Sequence, residues 1–157
     1  MLAYRITHKN YSGAIFTTGI DGRWNSGGRR VLYAAESIPL AFLENMVRRK
    51  GLGFNDEFRT MVLEFPDDLP ILTILVKDLP AGWRSASDYS KCQPIGNKWY
   101  DTGTIPILKV PSAVLQESFN YVLNASHPKF SLVKIAAVTL LTPDEPIEDI
   151  LKGKTRL

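Results

Sequence analysis

Arg30-Val31-Leu32-Tyr33-Ala34-Ala35-Glu36-Ser37-Ile38-Pro39-Leu40-Ala41-Phe42-Leu43-Glu44 changes character part-way along. Arg30 to Ala34 reads as a strand. Ser37 is an N-cap residue type, and Pro39 suits the first turn of a helix. Leu40, Leu43 and Val47 then share one helical face, and Gly51 or Gly53 is expected to stop the helix. On either side, strands dominate. Leu2 to Thr7 alternates apolar and polar residues. Thr60 to Phe65 and Ile71 to Val76 flank the turn Pro66-Asp67-Asp68. Ile107 to Val110, Phe119 to Leu123 and Leu132 to Leu141 are β-branched or aromatic runs. His8 to Gly28 reads as a long loop. Asp78 to Thr104 reads as irregular, with a short helix near Trp99. A short amphipathic stretch, Ile147 to Leu151, lies in the tail. Many strands and few helices predict an α+β fold of mixed, mostly antiparallel sheets.

The 157 residues suit one domain, 1–157, large enough to bury a core. Apolar residues make up 45% and charged residues 22%, which argues against disorder. No apolar run approaches the ~20 residues needed to cross a bilayer, so no membrane association is expected. Met1-Leu2-Ala3-Tyr4-Arg5 leads straight into a strand without a signal-peptide core. The single cysteine, Cys92, has no internal partner, and a reducing cytoplasm is the simplest home. His8, His127 and Cys92 have no metal-ligand spacing, so no metal is expected. The net charge of +3 is compatible with an anionic ligand but is weak support for nucleic acid.

Gly22-Arg23-Trp24-Asn25-Ser26-Gly27-Gly28-Arg29 holds three glycines that let backbone approach a ligand. Its arginines suit bidentate phosphate contacts. The spacing matches neither a Walker loop nor a Rossmann fingerprint. A surface loop with incidental arginines fits the same letters. Arg5 lies in the first strand, and residue type alone favours its solvated face. Tyr33 suits either core packing with a bonded hydroxyl or stacking on a planar ligand. Glu44 falls beside the apolar helical stripe, where a carboxylate costs free energy unless partnered. An exposed pair with Arg48 is the simpler alternative. Glu36 precedes the cap and suits a helix-start role. Ser112 follows Val110-Pro111, which is common turn chemistry.

Several segments together resemble the RES domain, the toxin half of bacterial RES–Xre type II toxin–antitoxin pairs. They are Tyr4-Arg5-Ile6-Thr7, Gly22-Arg23-Trp24-Asn25-Ser26, Val31-Leu32-Tyr33-Ala34-Ala35-Glu36-Ser37 and Leu40-Ala41-Phe42-Leu43-Glu44. Gly96-Asn97-Lys98-Trp99, Val110-Pro111-Ser112-Ala113-Val114 and Val122-Leu123-Asn124-Ala125-Ser126-His127-Pro128 follow in family order. The resemblance implies a fold like that of ADP-ribosyltransferases and an enzyme that consumes NAD as substrate, with no cofactor. It implies Glu44, Arg23 and Ser112 as catalytic residues, and Arg5, Arg23, Trp24, Asn25 and Tyr33 as NAD-binding residues. The expected chemistry is cleavage of the nicotinamide–ribose bond by water or phosphate, depleting NAD. Transfer of ADP-ribose to a protein is the alternative. The implied partners are an Xre-type antitoxin and a second copy of the chain. A different class of function, a nucleic-acid-binding module using Arg23, Arg29, Arg30 and Trp24, would combine phosphate contacts with base stacking. The weak net charge and dispersed basic residues count against it.

Overall fold

The computed structural model describes residues 1–49, 56–151 and 153. In chain order its elements are β1 (Leu2–His8), β2 (Val31–Ala35), α1 (Ile38–Arg48), β3 (Phe58–Glu64) and β4 (Ile71–Thr73). There follow α2 (Gln93–Thr102), β5 (Ile107–Pro111), β6 (Phe119–Asn124), β7 (Lys134–Leu140) and α3 (Glu145–Leu151). The strands form one seven-stranded sheet in the order β4-β5-β6-β2-β1-β3-β7. The β4–β5 pair is parallel and the other pairs are antiparallel. The expected α+β class holds, with a single sheet where several were expected. Among the described residues, no helix is long and apolar enough to cross a membrane.

Alternation divides the core between two sheet faces. Leu32, Ala34, Met61, Leu63, Tyr121 and Leu123 pack in one cluster. Val31, Val110 and Val122 pack with Trp24, Trp83 and Trp99 in another. A third cluster joins Ile6 and Ala35 to Leu40 and Ala41, which docks α1 on the sheet. Full burial of a side chain such as Leu40 contributes about 1.5–3 kcal/mol.

Three expectations change in detail. β4 ends at Thr73, short of Val76. The Asp78 carboxylate accepts from the Leu75 N–H at 3.2 Å and turns the chain into a 3-10 helix over Val76–Asp78. β7 begins at Lys134 because Pro128–Leu132 forms a 3-10 helix, capped by the His127 ring accepting from the Lys129 N–H. In α1, Val47 is 52% exposed, and the buried positions are Leu40, Ala41 and Asn45. Packing against β1 and β2 thus rotates the inward stripe away from Leu43 and Val47. Glu44, between Ala41 and Asn45 on that stripe, is carried inward. The Ser37 hydroxyl accepts from the Leu40 N–H at 3.3 Å, as expected of an N-cap. Gly51 and Gly53, the expected helix stops, lie outside the described residues; α1 ends at Arg48 with Arg49 as its C-cap.

Candidate active site

The site arises where the sheet parts. β1 pairs with β3 along its whole length, and β2 pairs with β6 along its whole length. Between β1 and β2 the only registered pair is Tyr4 with Ala35. Past that pair the ladder stops, and the backbone groups of β2 facing β1 need other partners. Arg5 supplies one: its Nη1 donates to the Tyr33 carbonyl at 3.1 Å. The cleft is lined by Tyr4, Arg5 and Ile6 of β1 and by Tyr33, Ala34 and Ala35 of β2. Ala41, Glu44, Asn45 and Arg48 of α1 and Asn120 of β6 complete it.

Glu44 is held by residues distant in sequence. Ser112 Oγ donates to Glu44 Oε1 at 2.6 Å, and Asn120 Nδ2 donates to the same oxygen at 2.5 Å. Ser112 is fully buried. Its hydroxyl also accepts from the N–H groups of Val114 and Leu115, both at 3.1 Å. A hydroxyl has one proton and two lone pairs. Here the hydroxyl proton is directed at Glu44 Oε1 and both lone pairs are filled, so Ser112 orients the carboxylate and is not poised as a nucleophile. Glu44 Oε1 receives two donors, which leaves Oε2 as the oxygen able to meet a ligand.

Cations line the same cleft. Burial, with the added repulsion of Arg48, pushes the Arg5 guanidinium down to about 10, which still leaves it charged at neutral pH. Arg48 lies on the same cleft. Two guanidinium groups and one fixed carboxylate can hold an anionic ligand and place a carboxylate beside a cationic centre on it. Burial pushes the Tyr33 phenol well above its ordinary value, so it stays protonated. Its hydroxyl donates to Asn25 Oδ1 at 2.6 Å and accepts from the Trp24 N–H at 3.1 Å.

The structure therefore brings together Arg5, Tyr33, Glu44 and Ser112, and does not bring Arg23, Trp24 and Asn25 to the cleft wall. Arg23 donates to the carbonyls of Trp83 at 2.6 Å and Ser85 at 2.9 Å, and its guanidinium lies 4.9 Å from the centre of the Tyr89 ring. Trp24 is 3% exposed, inside the core. Asn25 is 1% exposed and donates to the carbonyls of Ile20 and Arg29. The glycine-rich loop is strapped to α2. Gln93 Nε2 donates to the Gly22 carbonyl at 2.9 Å, and Asn97 exchanges hydrogen bonds with the Ser26 N–H and hydroxyl. Close approach explains two glycines. A Cβ at Gly22 would lie 2.6 Å from the Tyr33 hydroxyl, and one at Gly96 would lie 1.8 Å from the Trp24 carbonyl oxygen. The residues of the nucleic-acid reading are engaged elsewhere as well. Arg29 makes a paired contact with Asp101, Arg30 holds Thr17, and Trp24 offers no exposed face.

Sequence reasoning missed Asn120 and gave Arg48 only the role of a surface partner for Glu44. Asn120 carries a readable signal: it alternates onto the face of the buried Val122, where an amide is costly without a partner.

Known proteins resemble the chain over most of its length. The RES domain family matches residues 2–148. A protein named Toxin Res from Pseudomonas putida is 35% identical over 130 residues, covering 80% of this chain and 84% of the relative. Toxin Res from Yersinia enterocolitica is 31% identical over 134 residues, covering 83% and 88%. The Prs ADP-ribosylating toxin of a Sphingobium species is 29% identical over 119 residues, covering 74% of each chain. A chain in the crystal structure of the Mycobacterium tuberculosis MbcT–MbcA toxin–antitoxin complex has the same fold. Its TM-score is 0.71 at 18% identity, over 97% of this chain and 88% of that one. On the extent of these matches, the chain belongs to the RES domain family.

Proposed function

We propose that the chain is the toxin of a toxin–antitoxin pair and that it cleaves the nicotinamide–ribose bond of NAD. The observation that carries the reading is Glu44, fixed through Oε1 by Ser112 and Asn120 in a cleft that also holds Arg5 and Arg48. In this reaction the bonding electron pair leaves with nicotinamide, whose cationic ring becomes neutral. Positive charge develops on the ribose carbon and ring oxygen. Glu44 Oε2 stabilises that charge and binds a ribose hydroxyl, while Arg5 and Arg48 hold the pyrophosphate. Arg23, with two nitrogens committed to backbone carbonyls, positions the loop over Trp83 to Ser85. Tyr33 fixes the Gly22–Ser26 turn through its hydroxyl and contributes to the cleft wall.

The acceptor then adds to the ribose carbon and loses a proton. Water yields ADP-ribose, and phosphate yields its phosphorylated counterpart. Transfer to a protein side chain is the second reading, favoured by the Sphingobium relative named as an ADP-ribosylating toxin. The Xre-type antitoxin and a second copy of the chain are the proposed partners, and the cytoplasm the proposed location. The test is incubation with NAD in phosphate and in phosphate-free buffer, with mass spectrometry of products and protein. Release of nicotinamide supports the reading, and the mass of the remaining fragment names the acceptor. Intact NAD after prolonged incubation with free, antitoxin-stripped protein contradicts it.

A further inference from the structure

Asn120 is the member of the carboxylate clamp to which the family resemblance gives no role. Asn120 sits at the start of β6, opposite Ala35 of β2 and Val110 of β5. Its amide reaches Glu44 of α1 from the strand side, while Ser112 reaches the same oxygen from the end of β5. Three elements thus converge on Oε1. An ionised carboxylate oxygen accepts about two hydrogen bonds, so Asn120 completes what Ser112 begins. With Ser112 alone, the carboxylate could pivot about that one hydrogen bond. With both donors, tilting it breaks at least one charge-assisted hydrogen bond.

We infer that Asn120 is a positioning residue that, with Ser112, saturates Glu44 Oε1 and thereby reserves Oε2 for the ribose of the bound nucleotide. The inference rests on the proposed NAD reading. It also accounts for an amide at position 120. A carboxylate there would lie against Glu44, and two carboxylates at such a distance share one proton. An apolar side chain there would fill the space but supply no donor.

The test compares Asn120→Leu, Asn120→Asp and Glu44→Gln in nicotinamide release from NAD, with thermal unfolding recorded for each. Asn120→Leu is expected to lower kcat by roughly tenfold to a hundredfold with KM for NAD held within about twofold, because a donor to a charged group is lost. Asn120→Asp nearly preserves the side-chain shape, and its pH profile is the decisive readout. At neutral pH the second carboxylate repels Glu44 and activity falls. As pH drops through the raised value of the pair, the protonated carboxyl donates in place of the amide, and activity recovers relative to the parent. Parental kcat in Asn120→Leu, or a parental pH profile in Asn120→Asp, overturns the inference if Glu44→Gln is inactive. Full activity in Glu44→Gln instead overturns the NAD mechanism itself, so the two failures are distinct.

Discussion

Ser112 Oγ lies 2.6 Å from Glu44 Oε1, a contact between residues 68 positions apart. The hydroxyl also closes the turn after β5 through the Val114 and Leu115 N–H groups. One buried side chain therefore joins the conformation of that turn to the orientation of the carboxylate. Ser112→Ala removes a donor from Glu44 and leaves two N–H groups without their acceptor. The expected outcome is a loss of about 1–3 kcal/mol of stability in denaturant unfolding, together with a reduced rate of nicotinamide release. A nucleophilic serine would give the opposite pattern, full inactivation at unchanged stability.

The arginines divide into two groups, and inorganic pyrophosphate separates them. Arg5 and Arg48 line the cleft. Arg23 binds the carbonyls of Trp83 and Ser85. Pyrophosphate is expected to raise the melting temperature of the parent by binding the folded state. Arg48→Ala should lose most of that increase and raise KM for NAD by roughly tenfold, in line with one lost charged contact. Arg23→Met should melt lower but keep the pyrophosphate increase. If Arg23→Met lost the increase and Arg48→Ala kept it, the two roles would be exchanged.

Arg5 also gives a pH prediction. Its folded-state value, about 10, lies well below that of the exposed group. Between those values the unfolded chain holds more protons, so Arg5 makes stability rise with pH across that window. Below pH 10 both states are protonated and the cost of the buried cation is fully present. Arg5→Met removes that cation and abolishes this contribution. Parallel denaturant titrations of parent and variant at pH 9 and pH 11 should show the parent gaining stability relative to Arg5→Met. An identical pH dependence in both proteins would contradict the assigned cause.

Much of the scaffold is legible in the sequence. Alternation marks β1 and β3, and Ser37 with Pro39 marks the start of α1. The inward face of α1 is less legible, because contact with β1 and β2, rather than helical periodicity alone, selects Leu40, Ala41 and Asn45. Arg23 shows a deeper limit. An arginine in a glycine-rich loop has the same sequence appearance whether it meets phosphate or a backbone carbonyl, and only the fold places Trp83 and Ser85 under it. The Ser112–Glu44 contact has no local signature, and the family resemblance implies only that both residues are catalytic. The resemblance alone points to Arg5, because the parting of β1 from β2, which turns a strand arginine into a cleft residue, leaves no mark on alternation.

Gly96 tests the docking of α2 against the loop. A Cβ there would meet the Trp24 carbonyl oxygen at 1.8 Å, and backbone cannot move aside as a flexible side chain can. Gly96→Ala should destabilise the protein by more than about 1–3 kcal/mol, the usual range for overpacking. The alanine variant at Gly103, where a Cβ would lie 3.7 Å from the Tyr100 carbonyl oxygen, carries only the strain of φ 65° and should lose less. Denaturant midpoints of the two variants, compared directly, check the order.

The central claim is that the Glu44 carboxylate supports cleavage of NAD. Glu44→Gln keeps the side-chain shape and removes the negative charge proposed to face the ribose. Nicotinamide release by the purified variant, measured under conditions where the parent turns over, tests this most directly. The account predicts a fall of roughly a hundredfold or more, the scale of losing a preorganised electrostatic contact in the transition state. Release at the parental rate would contradict it.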